Sequence, residues 1–332
     1  MTRPDPRCSP LIEVDLDQIR ALLAPAVKDN SIIDIQRVEG GLVNTIYRIN
    51  LREPGASLCL RIFARGEDAW KNEMDILECV SASLPVPEVL FAAGCGQRFP
   101  YPYLVYQWIE GITLNECRRQ NPASAFLSLA EPLGRLLARI ASFSFPAAHS
   151  SERRGVRGSW SDLDELLSIT EVRLRQGLAR GRLGNELADA LRHLLSAGRG
   201  PLTALDHGRS LVHGDLNGRN ILVAPGSDDD WRVTALLDWE AAFAGSSIWD
   251  LGSLFQYSGR YTESFRARFE CGYREAGGAL PEDWWRIARL LHGTRIVETL
   301  NEPRELPVVF QECRDLIGAL VAEEYEAVTL CN

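Results

Sequence analysis

The stretch Leu211-Val-His-Gly-Asp-Leu-Asn-Gly-Arg-Asn-Ile-Leu-Val223 runs from an apolar strand into a polar loop and back into an apolar strand. The loop carries His213, Asp215 and Asn220. Further on, Val233-Thr-Ala-Leu-Leu237 ends on Asp238-Trp-Glu240. Two apolar strands that each end on Asp predict two carboxylates at one edge of a sheet, facing a common point. Phosphoryl transfer needs such parts. One carboxylate accepts the proton of an attacking hydroxyl, while a second carboxylate and an amide oxygen hold magnesium against the phosphates. Oxygen donors suit this hard cation, and the lack of a His/Cys cluster argues against zinc. A lone His-Gly-Asp is most often a satisfied turn. Here two halves follow in order, each beside a strand.

Outward from this stretch, the chain reads as globular. It has 332 residues, 45% of them hydrophobic and 24% charged, so one or two lobes sharing a cleft are expected. The net charge of −9 and the lack of a basic stripe argue against a phosphate-backbone binder, so no nucleic-acid partner is expected. Lys28 and Lys71 are the only lysines. The eight cysteines form no C-x-x-C pair, which fits reduced thiols. The start of the chain lacks an apolar signal core, and no apolar run reaches membrane-spanning length. A cytoplasmic protein without membrane attachment is the expectation.

Periodicity predicts a helix over 11–28, strands over 32–38, 43–51 and 57–63 with turns at Gly40-Gly41 and Pro54-Gly55, and a helix over 68–83. Strands near 88–93 and 103–107 follow. After Gly111, helices are predicted over 123–143, 161–179 and 185–197. Strands over 210–212, 221–223 and 233–237 come next, then helices near 247–257, 262–276, 282–300 and 307–327. The fold class is α+β, with a small antiparallel-sheet lobe over 1–109, including an N-terminal extension and helix over 1–30, and a mainly helical lobe over 110–332. Asp228-Asp-Asp230 after Pro225-Gly226-Ser227 predicts a solvated hairpin tip. Residues 298–326 carry eight acids against Arg304 and Arg314. They would suit a cationic acceptor as a rim, or form the wet side of a helix whose core face is Val309, Cys313, Leu316, Ile317 and Leu320.

H-x-D-x-x-x-x-N followed by D-W-E resembles the aminoglycoside phosphotransferase family, within the group related to eukaryotic protein kinases. The resemblance spans roughly residues 30–300 and implies a two-lobed protein-kinase-like fold. Val38-Glu-Gly-Gly-Leu-Val-Asn-Thr-Ile-Tyr-Arg48 resembles the loop that covers the nucleotide, placing Gly40, Gly41 and Asn44 on the phosphates. Leu58-Cys-Leu-Arg-Ile62 resembles the strand with the phosphate-binding basic residue, here Arg61 where many kinases have Lys. Asn72-Glu-Met-Asp-Ile-Leu77 resembles the helix bearing its partner, Glu73. Leu84-Pro-Val-Pro-Glu-Val-Leu90 resembles the family's connection. Tyr103-Leu-Val-Tyr-Gln-Trp-Ile109 resembles the inter-lobe connector, so main-chain groups near Gln107 and Ile109 would meet the base.

By the same resemblance Asp215 is the catalytic base, His213 orients its loop, and Asn220 and Asp238 hold magnesium. Asp250 in Ile248-Trp-Asp-Leu-Gly252 braces the catalytic loop. The implied activity is transfer of the γ-phosphate of ATP or GTP to a hydroxyl of a small molecule, preferably an aminoglycoside-like or macrolide-like antibiotic or an aminosugar. A metabolic kinase of choline, homoserine, fructosamine or a sugar shares the scaffold. A catalytically inactive nucleotide-binding scaffold is the remaining alternative, opposed by the retention of Asp215 and Asp238.

Overall fold

The computed structural model describes residues 9–28, 31–39, 43–53, 56–96, 99–144, 163–205, 209–226 and 230–330. Gly40 and Gly41 of the expected nucleotide loop, the expected turn at Pro54-Gly55, and Asp228 and Asp229 of the aspartate run lie outside the described residues.

The chain opens with α1 (Leu16–Leu23), started by a capping box between Asp15 and Gln18. Strands β1 (Ile32–Val38), β2 (Thr45–Leu51) and β3 (Ser57–Ile62) lead to α2 (Glu67–Val80), then β4 (Val89–Ala93) and β5 (Tyr103–Gln107). The short β6 (Ile112–Thr113) runs into α3 (Leu114–Gln120). Helices α4 (Ala123–Ser128), α5 (Ala130–Ser142), α6 (Leu163–Gln176), α7 (Leu178–Leu183), α8 (Asn185–Ala197) and α9 (Arg199–Thr203) follow. Strands β7 (Ser210–Val212), β8 (Ile221–Pro225), β9 (Trp231–Leu236) and β10 (Phe243–Gly245) precede α10 (Ile248–Leu254), α11 (Glu263–Glu275), α12 (Trp284–Leu300) and α13 (Pro307–Leu330). The α+β class, with an antiparallel N-terminal sheet and a helical C-terminal part, is as expected. The segment Ile112–Gln120 was not expected: Thr113 and Glu116 form a capping box there that starts α3.

The contacts divide the chain into two compact units. The first holds the described residues up to Ala125 together with Arg219–Ala242, and the second holds the rest. These limits differ from the expected break near residue 109, because the β8–β9 hairpin pairs with β6 and joins the first unit.

In the first unit the five-stranded sheet has the order β1-β2-β3-β5-β4, all neighbours antiparallel. Tyr47, Ile49, Leu58, Leu60, Ile62, Tyr103 and Val105 share one core with Ile19, Leu22 and Leu23 of α1. Side chains alternate across a strand, so Ile46, Arg48, Cys59, Arg61, Leu104 and Tyr106 point to the opposite face. Register places Ile46, Arg61 and Leu104 in one row and Arg48, Cys59 and Tyr106 in the next.

In the second unit β7 pairs with β10, and α5 packs closely on α11. The close approach rests on two glycines. A Cβ at Gly134 would lie 2.1 Å from the Phe269 carbonyl oxygen, and one at Gly272 would lie 2.3 Å from that of Glu131. Beside this crossing, Phe255, Phe265, Phe269, Tyr261 and Trp284 form an aromatic core. No described helix is long and apolar enough to cross a membrane.

One expectation fails here. The strands ending toward Asp215 and Asp238 do not belong to one sheet, since β7 pairs with β10 while β9 pairs with β8. Local periodicity identifies a strand, but its partner is chosen by contacts distant in sequence.

Candidate active site

In the first unit the site grows from the end of β3. Arg61 points away from the α1 core yet is only 6% exposed. Its Nη1 donates to Glu73 Oε1 of α2 at 3.2 Å, the expected pairing. Its Nη2 donates to Asp238 Oδ1 at 2.5 Å and to Glu240 Oε2 at 3.0 Å. Burial opposes the Arg61 charge, but Asp238, Glu73, Tyr106 and Glu240 outweigh it and hold its pKa well above the usual value. Burial pushes the Glu73 carboxyl up to about 7, although Arg61 draws it down. The Tyr106 hydroxyl donates to Glu73 Oε1 at 2.6 Å.

Asn220 and Asp238 stand side by side. Ile221 pairs with Leu236 across β8 and β9, and the Leu237 N–H donates to the Asn220 carbonyl at 2.9 Å. Asn220 thus precedes one strand end and Asp238 follows the other. Asp238 has φ 68° and ψ 62°, and is the one described non-glycine residue with positive φ. Backbone strain of this kind costs about 1–3 kcal/mol and collects at functional positions. An amide oxygen and a one-third-exposed carboxylate on adjacent strand ends fit a hard divalent cation, and Asp238, Glu73 and Glu240 bring carboxylate oxygens within 4.8 Å of one another.

Asn44, just before β2, is buried. Its Nδ2 donates to Glu240 Oε2 at 2.6 Å, and its Oδ1 accepts the Ala64 N–H at 3.1 Å. The expected base-contacting segment lies at the end of β5. The Gln107 N–H is committed to the Glu88 carbonyl at 3.0 Å, and Trp108 N–H to that of Ser57 at 2.9 Å.

The second unit holds the other constellation. Gly214, at φ 82°, turns the chain out of β7, a conformation that suits glycine. The His213 ring is fully buried, and its Nδ1 accepts the Asp215 N–H at 3.3 Å. Asp250, at the start of α10, accepts the N–H groups of His213 and Gly214. Asp215 itself is exposed, and Asn217 Nδ2 donates to its Oδ1 at 3.0 Å. His213 therefore sits as a buried support, with the Asp215 carboxylate presented outward.

Several participants went unread in the sequence. Glu240, Asn72, Tyr106 and Asn217 carry hydrogen bonds of the site. Asn72 Nδ2 reaches the carbonyls of Glu240 and Ala242 at 3.0 and 2.9 Å, tying α2 to the turn after Asp238. Only Glu240 had a signal, its place in Asp238-Trp-Glu240. The acids of α13 resolve between the two expectations. Glu323 pairs with Arg289 at 2.7 Å and Glu324 with Arg286 at 2.6 Å, while Tyr257 donates to Glu312 and Ser258 to Glu323. Much of that charge is thus balanced within the unit.

The profile of the phosphotransferase enzyme family matches residues 34–291. Among curated proteins, hygromycin-B 4-O-kinase of Escherichia coli is 23% identical over 235 residues, which is 69% of this chain and 63% of that protein. The chain thus spans less than two thirds of the curated relative it matches. Among solved structures, the GDP and kanamycin complex of APH(2")-IIia superposes with a TM-score of 0.70 at 18% identity, covering 93% of this chain and 98% of the other. Choline kinase LicA from Streptococcus pneumoniae gives 0.60 at 15% identity, covering 92% and 98%. These likenesses extend the kinase-like fold over nearly the whole chain.

Proposed function

Because the chain belongs to the phosphotransferase enzyme family, we propose that it transfers the γ-phosphate of ATP or GTP to a hydroxyl of a small molecule. Asp215 accepts the proton of that hydroxyl. Asn220 and Asp238 hold magnesium, which when bound neutralises charge on the phosphates. Arg61, kept in place by Glu73, grips phosphate oxygens through its guanidinium fork. Main-chain groups at Gln107 and Ile109 meet the base. His213 and Asp250 fix the loop that presents Asp215. No side chain acts as a nucleophile, so positioning and charge supply the catalysis.

The observation that carries this reading is the pair Asn220 and Asp238 on adjacent strand ends, with Arg61 joined to both Asp238 and Glu73. The preferred acceptor is an antibiotic or aminosugar, supported by the relatives named for hygromycin B and kanamycin. A metabolic small alcohol such as choline is the second reading. It draws on the choline kinase likeness and on the ion pairs that balance the α13 acids.

The test is magnesium-dependent turnover of ATP and of GTP against aminoglycosides, macrolides, choline and sugars, with Asp215→Ala alongside. Acceptor-stimulated turnover that vanishes in the variant identifies kinase and acceptor together. Turnover that survives loss of Asp215 would overturn the mechanism, and nucleotide binding without turnover across the panel would favour a scaffold.

A further inference from the structure

One nitrogen of Arg61 is shared by two acids: Nη2 lies 2.5 Å from Asp238 Oδ1 and 3.0 Å from Glu240 Oε2. We propose that Glu240 is a positioning residue that receives Arg61 when a divalent cation takes Asp238. This rests on the reading of Asp238 as a metal ligand.

A cation and a guanidinium on one carboxylate repel each other, so binding of the cation weakens the hold of Asp238 on Arg61. Arg61 is buried and cannot be released to water without losing its hydrogen bonds. Glu240 supplies the alternative. Its carboxylate is 6% exposed and held on both oxygens: Oε2 accepts from Asn44 Nδ2 at 2.6 Å, and Oε1 from Arg65 Nη1 at 3.3 Å. Its backbone carbonyl is fixed by Asn72. With Glu73 on Nη1 and Glu240 on Nη2, the guanidinium keeps two partners after leaving Asp238. The charges agree, since Arg61 and Arg65 balance Glu73 and Glu240 and leave the Asp238 charge for the cation. Without Glu240, Arg61 would stay on Asp238 and compete with the metal. Through Asn44, the same carboxylate also ties this exchange to the start of β2.

The experiment is Mn2+ binding to the nucleotide-free full chain, followed by electron paramagnetic resonance. Native protein is compared with Asp238→Asn, Glu240→Gln, Arg61→Gln and the Arg61→Gln/Glu240→Gln double variant, each first checked for a native circular dichroism spectrum. Asp238→Asn is expected to abolish binding. Glu240→Gln should weaken it about tenfold and Arg61→Gln should tighten it, with the double variant matching Arg61→Gln alone, the non-additivity of two residues acting through one contact. Native affinity in Glu240→Gln, with binding lost in Asp238→Asn, overturns the role of Glu240 and leaves the metal site standing. Equal weakening by Glu240→Gln with and without Arg61 makes Glu240 a direct metal ligand and also overturns it. Unchanged binding in Asp238→Asn, or none by the native chain, overturns the metal reading itself.

Discussion

The carboxylate of Asp250 accepts the consecutive backbone N–H groups of His213 at 2.7 Å and Gly214 at 3.1 Å. It thereby clamps the turn that delivers Asp215. Asp250→Ala leaves both amides without this partner, and hydrogen bonds to charged groups are worth about 1.5–3 kcal/mol each. A loss of roughly 3 kcal/mol in urea unfolding is expected for the alanine variant, with a smaller loss for Asp250→Asn, which keeps one acceptor oxygen. An alanine variant as stable as the native protein would refute the clamp.

The same residue gives a pH dependence. Burial pushes the Asp250 carboxyl up from 3.8 to about 7; the two N–H donors pull it down, and the nearby Asp215 charge pushes it up again. A pKa raised on folding contributes stability that is complete below the unfolded value and lost as pH rises through the folded one. Native Tm relative to Asp250→Asn, which cannot titrate, should therefore fall between pH 4.5 and 8. A difference that stays constant across that range would count against the shift.

Tyr106→Phe removes the hydroxyl that donates to buried Glu73 without changing the shape of the site. It should destabilise the protein by about 2 kcal/mol, as expected when a buried carboxylate loses a donor. Glu73 then holds Arg61 less well, so calorimetry should also show weaker binding of a non-hydrolysable nucleotide analogue. Unchanged affinity would separate Tyr106 from the nucleotide site.

Arg61→Lys replaces two separate donor nitrogens with one ammonium, which cannot span Glu73 and Glu240 in the same way. Nucleotide affinity should fall on the order of tenfold, equivalent to about 1.4 kcal/mol. A lysine variant that binds as tightly as the native chain would mean the fork geometry is dispensable.

Gly134→Ala and Gly272→Ala each place a methyl within 2.3 Å of a backbone oxygen on the facing helix. Each should destabilise by about 1–3 kcal/mol, the usual cost of overpacking. The double variant should cost less than the sum, because one separation of α5 from α11 relieves both clashes. Additive losses would place the two clashes in independent sites.

Most strands and long helices were legible because their periodicity is local. Ile32–Val38 and Tyr103–Gln107 read correctly from alternation or apolar runs, and the helix over 262–276 from its 3.6-residue pattern. Leu114–Gln120 was missed because its Thr113/Glu116 capping box precedes a helix of only seven residues. Phe243–Gly245 was missed because three residues carry no readable period.

The sequence alone singled out Asp215, Asn220 and Asp238, whose spacing beside apolar strands carries the proposed chemistry. Their surroundings were decided by the tertiary structure. Arg61 and Asp238 meet across 177 positions, and Asn44 and Glu240 across 196. A polar residue buried in the fold must find a partner, and chain order does not say which one. Glu240 therefore reads in the sequence as the tail of a motif, and only burial beside Arg61 and Asn44 gives its carboxylate a definite role.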